Sequence, residues 1–152
     1  MQRKIVFFDT EIGVEDKKIH DIGAVRSDKG MLHTASVTDF CAFVADADFL
    51  CGHNVVHHDM KYLAPLATGR VPKRIIDTLY LSPLLFPKRP YHRLLKDDKL
   101  QVEELNNPVN DSQKARDLFF DEVNAFWQLT LEQRKIFCEL LYNTEEFQGF
   151  FR

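Results

Sequence analysis

The stretch KIVFFDTEIG, Lys4 to Gly13, joins four apolar residues to two acids that stand one residue apart. Ile5, Val6, Phe7 and Phe8 are β-branched or aromatic and fill both pleat positions of a strand over Lys4–Asp9. A strand that is apolar on both faces must be covered on both, which calls for an α/β layering. Asp9 and Glu11 alternate with Thr10, so their carboxylates share one face at the strand's C-terminal end. Open α/β sheets bind ligands outside that end. Two carboxylates in one site repel, and a cation between them relieves the repulsion. A ligand set made only of oxygen favours Mg²⁺ or Mn²⁺.

Outward from this strand, IHDIGAV (Ile19–Val25) predicts a second strand, SDKG (Ser27–Gly30) a turn, and MLHTASV (Met31–Val37) a third strand that completes a meander. DFLCGHN (Asp48–Asn54) predicts a short strand, HDMKYLAPLA (His58–Ala67) a helix, and RIIDTLYLSPLL (Arg74–Leu85) a strand running into a helix. Pro87 and Pro90, around Lys88 and Arg89, force a loop over Phe86–Pro90. Ala115, Leu118, Phe119, Val123 and Phe126 fall at helical spacing, predicting a helix over Asp111–Leu129 with Asn110 or Asp111 as its N-cap. A second helix is predicted over Leu131–Asn143. A meander followed by alternating helices and strands implies an α/β fold with a mixed sheet.

At 152 residues the chain has the size of one domain, and 45% apolar with 28% charged residues is a globular composition. No apolar run approaches the roughly 18 residues of a membrane span. The three cysteines, Cys41, Cys51 and Cys138, are odd in number and lack metal spacing. Arg3 and Lys4 lead directly into the first strand without a signal-peptide pattern, so a reducing, cytoplasmic compartment is expected. The net charge of −3 argues against an extended grip on the phosphates of a duplex. The aromatic ending FQGFFR (Phe147–Arg152) suggests a domain excised from the N-terminal part of a longer protein.

More acids sit at predicted element ends. Asn54 falls in a strand-to-helix turn, Asp59 in the next helix's first turn, Asp77 at a strand end and Asp111 at a helix start. Capping is the common role of Asp at such places. In this order, however, FFDTEIG, IHDIGAV, GHNVVHHDMKYL, IIDTLYLSPLLFP and NNPVNDSQKARDLF resemble the DEDD superfamily of 3′→5′ exonucleases, the proofreading group within the ribonuclease-H-like fold. The likeness runs over residues 4–126. It implies a three-layer fold and metal ligands Asp9, Glu11, Asp59 and Asp111, holding two Mg²⁺ or Mn²⁺ ions against a scissile phosphate. It also implies a nucleic-acid substrate with a single-stranded or recessed 3′ end, DNA before RNA, and a parent protein such as a helicase. Thr10, Asn54 and His92 are further candidates for substrate contact, His92 within the basic loop PKRPYHR (Pro87–Arg93).

The pattern departs from the family at the general base. Where the family has His, five residues before Asp111, this chain has Asn106, and at the Tyr position of a sister branch it has Asn107. An amide cannot accept a proton at neutral pH, and loss of such a base removes a factor of roughly 10²–10⁴. A rival register pairs His92 with Asp97 at the family's spacing, but only Asp111 is followed by a helix of the family's kind. His53, His57, His58 and Asp59 could alternatively hold zinc if His53 were helical, although Gly52–Asn54 predicts a turn. A catalytically silent module that binds nucleic acid or positions a partner domain is the alternative function.

Overall fold

Strand β1 (Ile5–Ile12) forms the middle of a five-stranded sheet ordered β3-β2-β1-β4-β5 in a computed structural model that describes residues 2–28, 30–94 and 107–152. β2 (Ile19–Arg26) and β3 (Met31–Thr34) make the antiparallel meander, while β4 (Phe49–Gly52) and β5 (Ile75–Asp77) run parallel to β1. This is the mixed α/β sheet that the sequence predicts. The apolar run of β1 accounts for its central place. Val6 and Phe8 enter one core with Ile22, Phe40 and Leu50, and Phe7 enters the other with Cys51, Leu81 and Phe119. Each of these three β1 side chains is fully buried, worth about 1.5–3 kcal/mol apiece in removed apolar surface.

β1 is longer than the predicted Lys4–Asp9, and its last residues matter for the site. The antiparallel ladder to β2 continues through Asp9↔Gly23 and Glu11↔Asp21, whereas the parallel ladder to β4 stops at Phe7↔Cys51. Asp9 and Glu11 therefore stand on the strand beyond the point where one neighbour has ended.

Other boundaries also differ from the sequence reading. The third strand ends at Thr34, and Val37 opens a helix, α1 (Val37–Val44), that was not expected. Ser36 caps it by accepting the Asp39 N–H at 3.2 Å, a local bond that competes with strand pairing. After β4 the chain does not enter a plain α-helix at His58. Asn54 adopts a left-handed conformation (φ 62°), Val55–Asp59 makes one π-helical turn, and only then does α2 (Met60–Leu63) begin. Asp77 caps α3 (Thr78–Leu85). The long helix α4 (Pro108–Gln128) starts before the predicted Asp111, because Asn107 is the cap and Pro108 takes the first helical position. Asp111 lies inside the first turn and is not the cap. α5 (Leu131–Leu141) opens on a capping box made by Thr130 and Gln133, and α6 (Gln148–Phe151) closes the chain. Phe147, Phe150 and Phe151 pack on the second core. No helix among the described residues is long and apolar enough to cross a membrane.

Candidate functional site

Two strand positions and two helix starts converge at the C-terminal end of β1. Asp9 and Glu11 share the face of Phe7, the face covered by α4. The first turn of α4 lies directly on the backbone of β2. A Cβ placed on Gly23, the partner of Asp9 in the ladder, would sit 2.2 Å from the Pro108 carbonyl carbon and the Val109 nitrogen. Only glycine permits that approach. The buried Ser112 hydroxyl sits 2.9 Å from the Gly23 carbonyl and 2.6 Å from that of Pro108, fastening the helix start. Asp111, one residue earlier, is delivered beside Asp9. The carboxylate oxygens of Asp9, Glu11 and Asp111 come within 4.8 Å of one another, a set that could hold a metal ion.

Asp59 reaches the same place from another direction. One of its oxygens, Oδ2, accepts the backbone N–H of Thr10 at 3.0 Å and the Thr10 hydroxyl at 2.8 Å, while Oδ1 lies 2.7 Å from Nδ1 of His58. Thr10, a candidate for substrate contact, is itself buried and gives both its donors to Asp59. Asp77 has a different part. It is fully buried and accepts N–H groups from Asn54 (2.8 Å), Val56 (3.0 Å) and Leu79 (3.0 Å). These bonds hold the left-handed turn at Asn54 and thereby fix where the π-helical turn presents Asp59.

Charge is concentrated and unbalanced here. Burial pushes the Asp9 carboxyl up to about 9, and the charges of Asp59, Asp111 and Glu11 push the same way. Without a cation, Asp9 keeps its proton at neutral pH, in a hydrogen bond with Asp111. Burial also raises Asp59, opposed by the donors of His58 and Thr10. The four acids line a cavity of about 600 Å³, which Asn54, His53, His58 and Arg93 also border.

The histidines separate. His53 places Nδ1 at 2.9 Å from the Thr78 hydroxyl, and burial lowers its pKa to about 4, so the ring is neutral. His57 turns to Glu146 at 2.9 Å and His58 to Asp59. The zinc arrangement of His53, His57 and His58 is therefore not formed: the π-helical turn sends successive rings to different partners. His92 borders an adjoining cavity, with Nδ1 2.8 Å from the Ser82 hydroxyl. Asn106 and Asp97 lie outside the described residues. Asn107 spends its side chain on the α4 cap, accepting the Val109 N–H at 3.0 Å. Sequence reasoning did not place His53 and Arg93 at the cavity, although HN at Asn54 and the basic loop were the available signals.

No protein-family model matches the sequence, and no curated protein matches it. Solved structures match in fold. Brucella melitensis NrnC bound to pGG aligns with a TM-score of 0.68 at 15% identity, over 97% of this chain and 84% of that one. The same protein with bound Mg²⁺ gives 0.66 at 14% identity over the same shares. Exonuclease X in complex with 5′-overhanging duplex DNA gives 0.52 at 17% identity, over 88% of this chain and 97% of that one. The family B DNA polymerase of Pyrobaculum calidifontis gives 0.58 at 16% identity, over 90% of this chain and 27% of that one. The chain thus shares with these structures a mixed α/β, ribonuclease-H-like fold.

Proposed function

We propose that this chain is a metal-dependent 3′→5′ exonuclease domain that hydrolyses phosphodiester bonds at single-stranded or recessed 3′ ends, DNA before RNA. We further propose that it is one module of a longer, cytoplasmic DNA-processing protein such as a helicase. The observation that carries the reading is the meeting of Asp9, Glu11 and Asp111 within 4.8 Å, at the end of a strand buried on both faces. Like charges are not assembled in a half-buried place for stability, because each raises the cost of ionising the next. The fold's relatives include one protein seen with pGG and with Mg²⁺ and one seen with duplex DNA, which supports the same reading.

The donor set fits Mg²⁺ or Mn²⁺: it is all carboxylate, and the proton held on Asp9 marks a place where positive charge is wanted. Asp9, Glu11 and Asp111 would hold one ion, and Asp9 with the remaining lone pairs of Asp59 a second. Bound there, the ions supply positive charge to the phosphodiester and acidify water. The chain's own residues do the rest. Asp9 gives up its proton as the site fills. Thr10 and His58 orient Asp59 through three bonds. Water adds across the P–O3′ bond, releasing a 5′-mononucleotide and leaving a strand one residue shorter with a new 3′ hydroxyl.

The second reading, a silent or slow module, is favoured by Asn106 and Asn107. Asn107 is committed to the helix cap, and neither amide can accept the water's proton. An enzyme without that base turns over slowly at neutral pH and faster as pH rises. Incubation of 5′-labelled single-stranded and 3′-recessed oligonucleotides with Mn²⁺ decides between them. A ladder that shortens from the 3′ end, absent in Asp111→Asn, is expected; no cleavage of either substrate between pH 7 and 9.5 favours the silent module.

A further inference from the structure

Arg93 and Leu94, at the rim of the acid cavity, also border a second cavity of about 360 Å³. Its remaining walls carry three basic residues beside Ser82 and Leu118. Arg89 and His92 come from the segment after α3, and Lys114 comes from α4 three residues beyond Asp111, on the same side of the helix. Asp121 is the acid among them. A chain with a net charge of −3 has therefore placed three permanent cations in one strip that continues the acid cavity.

Two features set this strip apart from a solvated turn. The side chains are arranged: Arg89 stacks its guanidinium 4.0 Å from the Phe86 ring centre, and the Ser82 hydroxyl holds His92 through Nδ1. Arg93 borders a cavity rich in carboxylates, yet no hydrogen bond, ion pair or ring contact engages it among the described residues. A cation whose only task was structural would have closed on one of those acids. A guanidinium left open between an acid site and a basic site suits an anion that spans both, and its planar fork matches two oxygens of a phosphate.

We infer that the second cavity is the subsite for the phosphate on the 5′ side of the bond to be cut, bound by Arg93 together with Arg89 and Lys114. The inference rests on the exonuclease reading for its direction along the strand. The ligand class is a single-stranded nucleic acid carrying at least two consecutive phosphates, the last in the acid cavity and the next over the arginines. Net acidity of the whole chain is then no obstacle to substrate binding, because the contact is confined to one or two phosphates.

The test is a binding cycle in Ca²⁺, read by fluorescence anisotropy with a 5′-fluorescein single-stranded hexadeoxynucleotide. A second probe carries an uncharged methylphosphonate at the penultimate 3′ linkage, and a third carries it at the 5′-most linkage. Both arginines are exposed, and because Arg89 stacks on Phe86, an unchanged melting temperature of the Arg89→Gln, Arg93→Gln double variant is checked first. For the wild-type chain, the penultimate methylphosphonate should weaken binding about tenfold and the 5′-most one little. In the double variant the unmodified probe should bind about tenfold more weakly, with no further loss from the penultimate methylphosphonate. The slope of log K against log salt should fall by about 0.7, the value of one phosphate on a single strand. Equal weakening by the penultimate methylphosphonate in both proteins, or none in the wild type, overturns the subsite. Binding that couples in this way without any cleavage in Mn²⁺ retains the subsite and removes the exonuclease reading. Cleavage without coupling does the reverse.

Discussion

At the N-terminal end of β1, Arg26 is buried among partners of opposite sign: it donates to Asp28 at 2.8 Å, to Asp46 at 2.7 Å and to the Phe43 carbonyl at 2.6 Å. Lys4 adds a second cation to Asp46 at 3.3 Å. At the C-terminal end of the same strand, Asp9, Glu11, Asp59 and Asp111 border one cavity. The first cluster satisfies its charges within the fold. Its hydrogen bonds hold Arg26 firmly protonated and Asp46 firmly ionised. In the second, burial first and the neighbouring negative charges next push Asp9 up to about 9. A protein can use the first kind of cluster for stability alone. The second costs stability, and a ligand that supplies positive charge is the physical reason to keep it.

Breaking either end should therefore give opposite results. Asp111→Asn should reduce Mn²⁺-dependent cleavage by at least about 100-fold, to background, while raising the melting temperature of the metal-free protein, by about 2–4 °C for each kcal/mol of relieved repulsion. Calorimetric melting with and without Mn²⁺ checks both, and a lower metal-free melting temperature would mean that the acids are structural after all. Arg26→Ala should destabilise by about 2 kcal/mol, measured by urea unfolding, because the Phe43 carbonyl and the packed stem lose their partner. Cleavage well below the melting temperature should survive that change.

The pH dependence sharpens the contrast. Asp9 is raised above its usual 3.8 to about 9, so the folded metal-free protein holds a proton that the unfolded chain releases. Its stabilising contribution is complete below pH 3.8 and declines as pH rises toward 9. Mn²⁺ should remove that part of the slope. Glu122 provides the control, since it is fully buried, both its oxygens lack a hydrogen-bond partner among the described residues, and burial raises it from 4.5 to about 9. Its slope has the same sign but is beyond reach of the metal. Melting temperatures across pH 5–9 should keep a slope in Mn²⁺ that Glu122→Gln flattens. The smallest effect belongs to Thr10→Val, which deletes the hydroxyl on Asp59 and keeps the backbone donor. A loss of about 1 kcal/mol in stability and roughly tenfold in turnover is expected, and an unchanged turnover number would mean that the backbone N–H alone orients Asp59.

Much of the frame was legible along the chain. The apolar run Ile5–Phe8 could be satisfied only between two layers, and the period-2 alternation put Asp9 and Glu11 on one face. The helical spacing from Ala115 to Phe126 marked most of α4. Boundaries were less legible where a side chain competes with the backbone ladder. Ser36 turned the end of the meander into α1, and Asn107 with Pro108 started α4 early. The π-helical turn at Val55–Asp59 left no periodicity to detect, since it depends on two N–H bonds to Asp77, from Asn54 and Val56, more than 20 residues away in sequence.

What the sequence determined alone was therefore the five strands, the long helices α4 and α5 and the pair Asp9 and Glu11, because these follow from spacing between near neighbours in the chain. Only the tertiary structure decided which distant acids join them. Asp111 arrives because Gly23 lets α4 rest on the β2 backbone and Ser112 ties the two across 89 residues, and Asp59 arrives through Thr10 across 49. Left to local forces, four carboxylates would separate. The burial of the two cores on either side of β1 supplies the energy that holds them together.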